Sequence, residues 1–330
     1  MLDFNTILGH ESIKEHLKTA IMQNQPNHAY IFNGEKGSGR KSIAECFAAA
    51  LCCQDENPEN RPCGKCMACM QSASKTHPDI IHVTHDKSRI GVDDIRESLI
   101  NDISIKPFSS RYKVYIVDEA ERMTEQAQNA LLKTLEEPPE YVVILLITTN
   151  TGAFLQTILS RCICLQFKPL ATDMIADYLK EKEHLPDYLA KLCAAFSGGS
   201  LGQAIKFAKN EEFEQIKDNC LSLLRDIDSL TADTISDTIS ELSTKKDEVD
   251  VYLDLMHIWF RDVLMFKATQ DTNRLVFLNE VMIIKRQASK YSFSSLGKIL
   301  DGFYTVNDRL NANVNFDTAL ELLFLNMRDY

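Results

Sequence analysis

The first half of the chain is a series of short apolar runs separated by amphipathic stretches, and this order predicts an α/β domain. The fourth run, residues 141–148, is apolar throughout, as expected for a strand buried on both faces of a parallel sheet. Between the runs, apolar residues recur at helical spacing, and Thr124 can cap one of these helices. The predicted strands are residues 28–32, 79–83, 113–117, 141–148 and 163–167. The predicted helices between them are residues 43–53, 92–103 and 124–135.

Beyond about residue 172 the strand signals fade and only helical patterns remain. Helices are predicted over residues 173–183, 188–196, 249–267 and 274–290. The polar segment Asn311-Ala312-Asn313 is predicted to form a turn or an interface. The predicted organisation is an α/β domain over residues 1–170, a small helical lid over 171–209 and an all-helical domain over 210–330.

The composition is typical of a globular protein that is neither a membrane protein nor a DNA-binding protein in its own right. Hydrophobic residues make up 45% and charged residues 25% of the 330 residues. The net charge of −11 argues against autonomous, high-affinity DNA binding, which depends on clustered Lys and Arg. A position beside DNA within a complex is compatible with it. Because no apolar run approaches the roughly 20 residues that span a bilayer, and no basic-then-apolar leader is present, the sequence predicts a cytoplasmic protein without a membrane partner.

A glycine-rich segment follows the first predicted strand and precedes a predicted helix, which is the order of a phosphate-binding loop. Its glycines, Gly34, Gly37 and Gly39, would allow backbone N–H groups to approach a phosphate. The segment runs Gly34-Glu35-Lys36-Gly37-Ser38-Gly39-Arg40-Lys41-Ser42.

The residues that should complete this loop depart from the pattern G-x-x-x-x-G-K-[ST]. Arg40 stands at the lysine position, Lys41 stands at the Ser/Thr position, and Ser42 comes one residue late. A planar guanidinium is not equivalent to a compact ammonium, and a lysine cannot ligate Mg²⁺. The favoured hypothesis is a relic loop that keeps the fold and does no chemistry. The alternative is a working site in which a shifted register makes Lys41 and Ser42 the functional pair.

Two carboxylates, Asp118 and Glu119, follow the third predicted strand. In a P-loop ATPase the first would hold Mg²⁺ and the second would polarise the attacking water, so this pair is the main support for residual hydrolysis. Thr149 and Asn150 end the next strand at the carboxyl edge of the sheet, where ligands bind in open α/β folds. A polar strand end without a binding role has the same appearance. The prediction is a degenerate nucleotide site formed by the loop residues with Asp118, Glu119 and Asn150.

Four of the ten cysteines are spaced for a metal ion rather than for disulfides. Cys63, Cys66 and Cys69 are separated by two residues each. Cys53, ten positions before Cys63, completes the set, and Cys52 is the alternative fourth ligand. Four thiolates bind Zn²⁺ tetrahedrally at structural sites and leave no position open for catalysis. The sequence therefore predicts one structural zinc ion, against the alternative of reduced thiols clustered by chance.

Together, these motifs resemble the clamp-loader branch of the AAA+ ATPases, whose bacterial members belong to the DNA polymerase III holoenzyme. The resemblance covers essentially the whole chain, and its most specific parts are Ser160-Arg161-Cys162 and the run from Asn129 to Pro139. It implies an AAA+ P-loop domain with a parallel sheet and a zinc module at about residues 53–69, a small helical lid, and a C-terminal helical collar that joins subunits into a ring. The other segments that carry it are Gly9-His10-Glu11, the glycine-rich segment, the cysteine insert, His77-Pro78-Asp79 and residues 113–118.

The resemblance also implies roles for single residues. Arg161 matches the arginine finger that reaches into the ATP site of the adjacent motor subunit. Thr149-Asn150 matches the first sensor region. Residues 199–204 match the second sensor region, where motor subunits carry an arginine and this chain has Gly202 and Gln203. Without the resemblance, Arg161 would be interpreted as a surface arginine in a salt bridge worth at most about 1 kcal/mol.

The predicted function is therefore that of a non-catalytic clamp-loader subunit of the DNA polymerase III holoenzyme. Such a subunit would assist the ATP-driven loading of the sliding clamp onto primed DNA, within a hetero-pentameric ring that includes motor and delta-type subunits. It would donate Arg161 to a neighbouring motor subunit and bind structural zinc, while ATP and Mg²⁺ are doubtful ligands of its own site. The alternative is an ATP-hydrolysing, motor-type subunit that uses Lys41 and Ser42. A polymerase or nuclease in its own right is unsupported, because the sequence has no carboxylate constellation beyond Asp118-Glu119.

Overall fold

The structure is a computed structural model that describes residues 2–83, 89–227, 230–244, 249–311 and 316–329. The chain folds as two compact units, which are Met1–Leu170 with Ser200–Gly202 and Ala171–Gly199 with Gln203–Tyr330. The predicted separation of a lid from a collar within the second unit stays a prediction. Residues 312 and 313 of the predicted polar turn lie outside the described residues.

The first unit is built on a parallel sheet, as the apolar runs predicted. Its strands are β1 (Ala29–Asn33), β2 (Ile80–Val83), β3 (Lys113–Val117), β4 (Val142–Thr148) and β5 (Ile163–Gln166). Their order across the sheet is β2-β3-β4-β1-β5. In the register, Asn33 is paired with Thr148 and Val117 with Leu146, so the carboxyl ends of β1, β3 and β4 meet at one edge.

The helices of the first unit connect these strands and cover both faces of the sheet. They are α1 (Glu11–Met22), α2 (Arg40–Cys52), α3 (Met67–Ala73), α4 (Val92–Ile95), α5 (Glu125–Glu136) and α6 (Gln156–Leu159). The helix predicted over residues 92–103 is shorter and less regular, because α4 passes into a π-helical turn at Arg96–Ile100. Thr124 caps α5 as predicted, since its Oγ1 accepts the N–H of Ala127 at 3.2 Å. Short 3₁₀ turns are formed by Phe4–Thr6, Pro58–Asn60, Ala120–Arg122 and Thr151–Ala153.

The core lies on both faces of the sheet, which explains why the strands are apolar without alternation. On one face, Phe32 of β1 packs in a cluster with Leu145 of β4 and Phe47 of α2. On the other face, Ile31 belongs to a second cluster that includes Leu131 of α5. Successive residues of β1 thus enter opposite clusters, and the sheet is held from both sides.

All the regular secondary structure described in the second unit is helical, and irregular segments connect the helices. After α7 (Thr172–Lys182) and α8 (Asp187–Phe196), α9 starts with two residues that belong to the first unit. The remaining helices are α9 (Leu201–Ala208), α10 (Glu211–Arg225), α11 (Ala232–Thr244), α12 (Val249–Thr269), α13 (Val281–Lys290), α14 (Phe293–Asn311) and α15 (Phe316–Asp329). Within the described part of the chain, no helix has both the length and the apolar character needed to cross a membrane.

The helix predicted over residues 274–290 is wrong in its first part, because α13 begins only at Val281. The buried carboxylate of Asp262 accepts the backbone N–H groups of Val276 at 2.6 Å and of Phe277 at 2.9 Å. These bonds hold the two residues outside helical geometry, between 3₁₀ turns at Thr272–Arg274 and Leu278–Glu280. A distant side chain therefore overrides the local helical pattern.

Candidate nucleotide and metal sites

The phosphate loop leaves the carboxyl end of β1 and enters α2. Gly34 packs so closely against Phe167 that an added Cβ would lie 2.7 Å from the Phe167 Cβ. Gly37 and Gly39 have φ angles of 82° and 90°, in the left-handed region that favours glycine. The three glycines therefore allow the tight turn that brings the chain to the N-terminus of α2.

The lysine at the Ser/Thr position of the loop, Lys41, reaches the carboxylate that follows β3. Its Nζ lies 2.6 Å from Asp118 Oδ2, and this hydrogen bond raises the pKa of Lys41. In a P-loop ATPase, the same carboxylate serves the Mg²⁺ ion beside the loop hydroxyl. The ammonium of Lys41 therefore occupies the carboxylate that a metal ion would need, while the neighbouring Ser42 is exposed.

Arg40, at the lysine position of the loop, is buried in the first turn of α2. Burial lowers the pKa of Arg40, and three nearby carboxylates act in the opposite direction. These carboxylates belong to Glu121, Asp118 and Glu35. The two cations at the start of α2 are therefore balanced largely by the protein's own acidic groups.

Glu119 and Asn150 lie at the carboxyl edge of the sheet, and each is engaged with its own turn. Glu119 has a left-handed φ of 50°, and its Oε2 lies 3.2 Å from Arg122 Nε. The Oδ1 atom of Asn150 accepts the N–H of Gly152 at 2.8 Å. Both side chains thus support local turn geometry, and their roles in nucleotide chemistry stay predictions.

A carboxylate that the sequence analysis did not single out, Glu121, lies at the same edge. Its Oε1 accepts a hydrogen bond from Thr149 Oγ1 at 2.7 Å, and its Oε2 is buried without a hydrogen-bond partner among the described residues. Burial raises the pKa of Glu121, but hydrogen bonds led by that from Thr149 outweigh burial and lower it. The sequence signal that could have identified Glu121 was its position, shortly after the end of β3 and two residues after Glu119.

The segment Ser200–Gly202, part of the predicted second sensor region, belongs to the first unit and bonds to the backbone of the phosphate loop. Ser200 Oγ donates to the carbonyl of Lys36 at 2.9 Å, and the N–H of Gly202 donates to the carbonyl of Gly37 at 3.0 Å. A Cβ at residue 202 would lie 2.9 Å from Gly37 Cα. Because of this contact, any larger residue at position 202, arginine included, would have to displace the loop.

Arg161 follows α6, and its guanidinium is partly exposed. Its Nη1 donates to the carbonyl of Thr157 at 2.9 Å and to Ser160 Oγ at 3.3 Å. Its Nη2 lies 2.8 Å from Glu136 Oε1, at the end of α5. Glu136 was not singled out by the sequence analysis, although it lies within the run from Asn129 to Pro139. Together these contacts orient the guanidinium at the surface of the first unit.

The predicted metal-binding cysteines converge. Their Sγ atoms all lie within 4.8 Å of one another, with Cys53 and Cys66 3.9 Å apart and Cys63 and Cys69 4.0 Å apart. Tetrahedral zinc with Zn–S bonds of about 2.3 Å brings thiolates to about 3.8 Å from each other. The Sγ of Cys52 instead donates to the carbonyl of Tyr112 at 3.6 Å. The four converging residues are Cys53, Cys63, Cys66 and Cys69.

The thiols of this cluster differ in their proton affinity. Burial raises the pKa of Cys53 and of Cys69. Burial acts in the same direction on Cys63, but backbone hydrogen bonds from Lys65 and Cys66 outweigh it and lower the pKa of Cys63 to about 7. N–H···S bonds of this kind stabilise the thiolate form that a metal ion requires. The donor set and its geometry fit a structural zinc ion.

Comparisons with known proteins find similarity to subunits of DNA polymerase III. A family model described as "DNA polymerase III, delta subunit" matches residues 9–171. The DNA polymerase III subunit delta' of Bacillus subtilis (strain 168) is 29% identical over 316 residues, which are 95% of this chain and 94% of that protein. The DNA polymerase III subunit tau of the same organism is 31% identical over 291 residues, 80% of this chain, and this chain spans only half of its length. A solved structure of a DNA polymerase III, gamma subunit-related protein from Thermotoga maritima aligns over 96% of this chain and 98% of that one, with 22% identity and a TM-score of 0.40.

The parallel sheet, the phosphate loop after β1 and the carboxylate after β3 define an α/β domain of the P-loop type. The sequence matches show that the chain is similar to the delta' and tau subunits of DNA polymerase III. Among the relatives, the delta' subunit is matched over nearly the whole length of both chains.

Proposed function

We propose that this chain is a non-catalytic subunit of the DNA polymerase III clamp loader. In this proposal it assists a neighbouring motor subunit in the ATP-driven loading of a sliding clamp onto primed DNA. It meets other loader subunits in a hetero-pentameric ring, contacts clamp and DNA through the complex, and donates Arg161 as an arginine finger. The zinc module stabilises its fold, and its second unit supplies a helical lid and a collar.

The observation that carries the non-catalytic part is the ion pair between Lys41 and Asp118. Its distance of 2.6 Å means that an ammonium already neutralises the carboxylate on which Mg²⁺ chemistry would depend. A second cation near this carboxylate is electrostatically unfavourable, because like charges at short range repel. This ion pair therefore supports the proposal that the site does not carry out metal-assisted phosphoryl transfer.

The geometry around Arg161 supports a role outside this chain's own site. Its ion pair with Glu136 is partly exposed, and pairs of that kind are worth about 0–1 kcal/mol. An arginine that stabilises charge on a transferring phosphoryl group is worth about 10³-fold or more in rate, which is about 4 kcal/mol. The smaller interaction would therefore not prevent the guanidinium from turning to a neighbour's phosphate.

The experiment that tests this proposal is Arg161→Ala in a reconstituted loader. We expect assembly by gel filtration to be unchanged and ATP turnover with clamp and primed DNA to fall about 10³-fold. Arg161→Lys should recover little of the loss, because an ammonium lacks the planar fork of the guanidinium. Turnover close to that of the unmodified complex would remove Arg161 from the mechanism.

Two variants serve as controls for this experiment. Arg96→Ala removes an exposed arginine elsewhere in the first unit and should leave turnover unchanged. Glu136→Gln keeps Arg161 but removes its charged partner, and its effect should stay within about 10-fold, because the pair is weak.

A motor-type, ATP-hydrolysing subunit is the second candidate function. The observation that favours it is the Asp118-Glu119 pair, which lies at the correct edge of the sheet beside the phosphate loop. The isolated chain distinguishes the two functions. Magnesium-dependent hydrolysis by the isolated chain, lost in Glu119→Gln, would support the motor function, whereas its absence supports the non-catalytic one.

A further inference from the structure

A cavity of about 180 Å³ lies within the second unit. Helices α8 and α10 form two of its walls, and the irregular segment that precedes α13 forms the third. Buried apolar side chains line each wall, among them Leu192 of α8, Leu221 of α10 and Val276 of the irregular segment. The cavity thus has the concave, apolar character of a site for a small molecule.

Polar contacts hold the irregular segment at both of its ends. At its start, the buried carboxylate of Asp262 accepts the N–H groups of Val276 at 2.6 Å and of Phe277 at 2.9 Å. At its end, Glu280 accepts hydrogen bonds from Nε and Nη2 of Arg225 in α10. The side chain of Glu280 is largely buried, so this pair is shielded from water. The third wall is therefore fixed before a ligand binds, which lowers the entropic cost of binding.

One charged group in the lining, Lys217 of α10, is buried without a close partner. The residue is 6% exposed, and its Nζ lies 3.4 Å from Asp218 Oδ1 and 3.7 Å from Glu214 Oε1. Neither contact is a hydrogen bond, and no hydrogen bond joins this ammonium to any residue that the structure describes. The ring of Tyr188 lies 5.7 Å from it. Because an ammonium has three N–H donors and its burial is costly unless they are bonded, Lys217 is suited to hold an anionic group.

We propose that this cavity binds a small organic carboxylate, which is an aromatic ring or a branched aliphatic chain that carries one carboxylate group. The apolar part of the ligand contacts Leu192, Leu221 and Val276. Its carboxylate accepts charge-assisted hydrogen bonds from the ammonium of Lys217. This inference goes beyond the proposed function and depends on neither Arg161, the phosphate loop nor the cysteine cluster.

The volume of the cavity limits the size of the ligand. In another protein, an apolar cavity of about 150 Å³ holds one benzene molecule. The cavity here, at about 180 Å³, accommodates one ring or one short branched chain together with a carboxylate at Lys217. A polypeptide segment is too large to enter it. The size therefore favours a free small acid over a partner protein.

The charges around the cavity favour an anion. Arg225 and Glu280 neutralise each other through their two hydrogen bonds. Asp218 also lines the cavity, but its side chain is 72% exposed and is therefore solvated. A cationic ligand would be repelled by the buried ammonium of Lys217. A neutral apolar ligand would leave the N–H donors of this ammonium without a hydrogen-bond partner.

The test is a titration of the full chain, labelled at its Leu and Val methyl groups, followed by NMR. The probes are benzoate, phenylacetate and isocaproate. We expect at least one acid to bind with a dissociation constant of about 1 mM or lower. The largest shifts should be those of Leu192, Leu221 and Val276. The amide of the same acid has the same shape without the charge and should bind at least about 10-fold more weakly.

Inorganic phosphate, which has charge but no apolar part, is the complementary control and should not shift these methyl signals. Three outcomes would overturn the proposal. The first is that none of the acids saturates below about 10 mM. The second is that the amide binds as tightly as its acid, and the third is that the largest shifts lie outside the cavity.

A pair of lysine variants assigns the charge. Lys217→Met removes the ammonium but keeps an unbranched side chain, and replacing a buried charge by an apolar group is often tolerated. We expect its affinity for the acid to fall at least about 10-fold, to that for the amide. Lys191→Met is the matched control, because this lysine of α8 is paired with Asp187 at 3.0 Å and is not part of the lining. It should bind the acid like the unmodified chain.

Unchanged affinity for the acid in Lys217→Met, with folding verified by circular dichroism, would refute the role of this ammonium. If that variant does not fold, the comparison of acid and amide on the unmodified chain decides the question. ATP turnover is not part of either readout, so failure of this proposal is distinct from failure of the Arg161 experiment.

Discussion

Helix α2 begins in the phosphate loop and ends at the cysteine cluster. The groups that could bind a metal ion at its two ends differ in their partners. At the C-terminal end, Cys53 converges with three other thiols, and the four Sγ atoms lie within 4.8 Å of one another. At the N-terminal end, the carboxylate of Asp118 is already bonded to Lys41 at 2.6 Å. The C-terminal end therefore provides a complete set of donor atoms for a metal ion. At the N-terminal end, the ammonium of Lys41 is the counter-ion of Asp118.

At the N-terminal end the backbone of a phosphate loop is present, and the carboxylate beside it is bonded to a side chain of the protein. The loop glycines, the sheet edge and Asp118 are all in position at the N-terminal end. A single side chain, Lys41, changes the electrostatic balance. The cysteine cluster keeps four converging thiols, so we expect it to bind zinc and thereby to stabilise the fold.

The largest expected effect is the loss of the metal at the C-terminal end of α2. Cys69→Ser removes a buried ligand, so the zinc content should fall well below one ion per chain. The first unit should lose more than about 4 kcal/mol of stability. Elemental analysis and denaturant unfolding measure the two quantities.

The adjacent cysteine provides the matched control. Cys52→Ser changes a buried thiol that bonds to the Tyr112 carbonyl, outside the cluster, and should keep one zinc ion per chain. A Cys69→Ser protein with full zinc content, or with the unfolding curve of the unmodified chain, would contradict the metal assignment.

The second prediction concerns the pH dependence of zinc binding. Because burial raises the pKa of Cys53 and of Cys69, both thiols are protonated at neutral pH when the metal is absent. Zinc must displace at least these two protons, so its affinity should rise with pH and be lost as pH falls. The dissociation constant should decrease by at least about 100-fold per pH unit between about pH 6 and 7.5. Competition with a chromophoric chelator measures this slope, and a slope near zero would mean that the thiols are already ionised.

The parts of this molecule that were predictable from sequence are those fixed by local patterns. The strand and helix order follows from apolar runs and from glycine positions, and the capping of α5 by Thr124 follows from its place before a helical pattern. The choice between Cys52 and Cys53 was not predictable. Consecutive residues at a helix end point in directions about 100° apart, and only the end point of α2 determines which thiol faces the cluster.

Contacts between distant segments were likewise not predictable. Lys41 and Asp118 are 77 positions apart, and Arg161 and Glu136 are 25 apart. Sequence patterns identified three of these residues as candidates, but they contain no information on which cation meets which carboxylate. The same limitation explains the error over residues 274–290, where the carboxylate of Asp262 in α12 accepts the backbone N–H of Val276.

The smallest expected effect comes from restoring the N-terminal end of α2. In the double variant Arg40→Lys/Lys41→Ser, a hydroxyl replaces the ammonium beside Asp118 and leaves this carboxylate free for Mg²⁺. We expect binding of a fluorescent ATP analogue to become about 10-fold tighter in Mg²⁺ than in EDTA, a gain of about 1.4 kcal/mol. The unmodified chain should show no difference between the two conditions. The control variant is Lys75→Ser. It removes an exposed lysine whose Nζ lies 3.3 Å from Oε1 of Glu45 in α2, and it should behave like the unmodified chain. If the double variant stays indifferent to Mg²⁺, then Lys41 is not what excludes the metal, and the contact of Gly202 with the loop becomes the next cause to test.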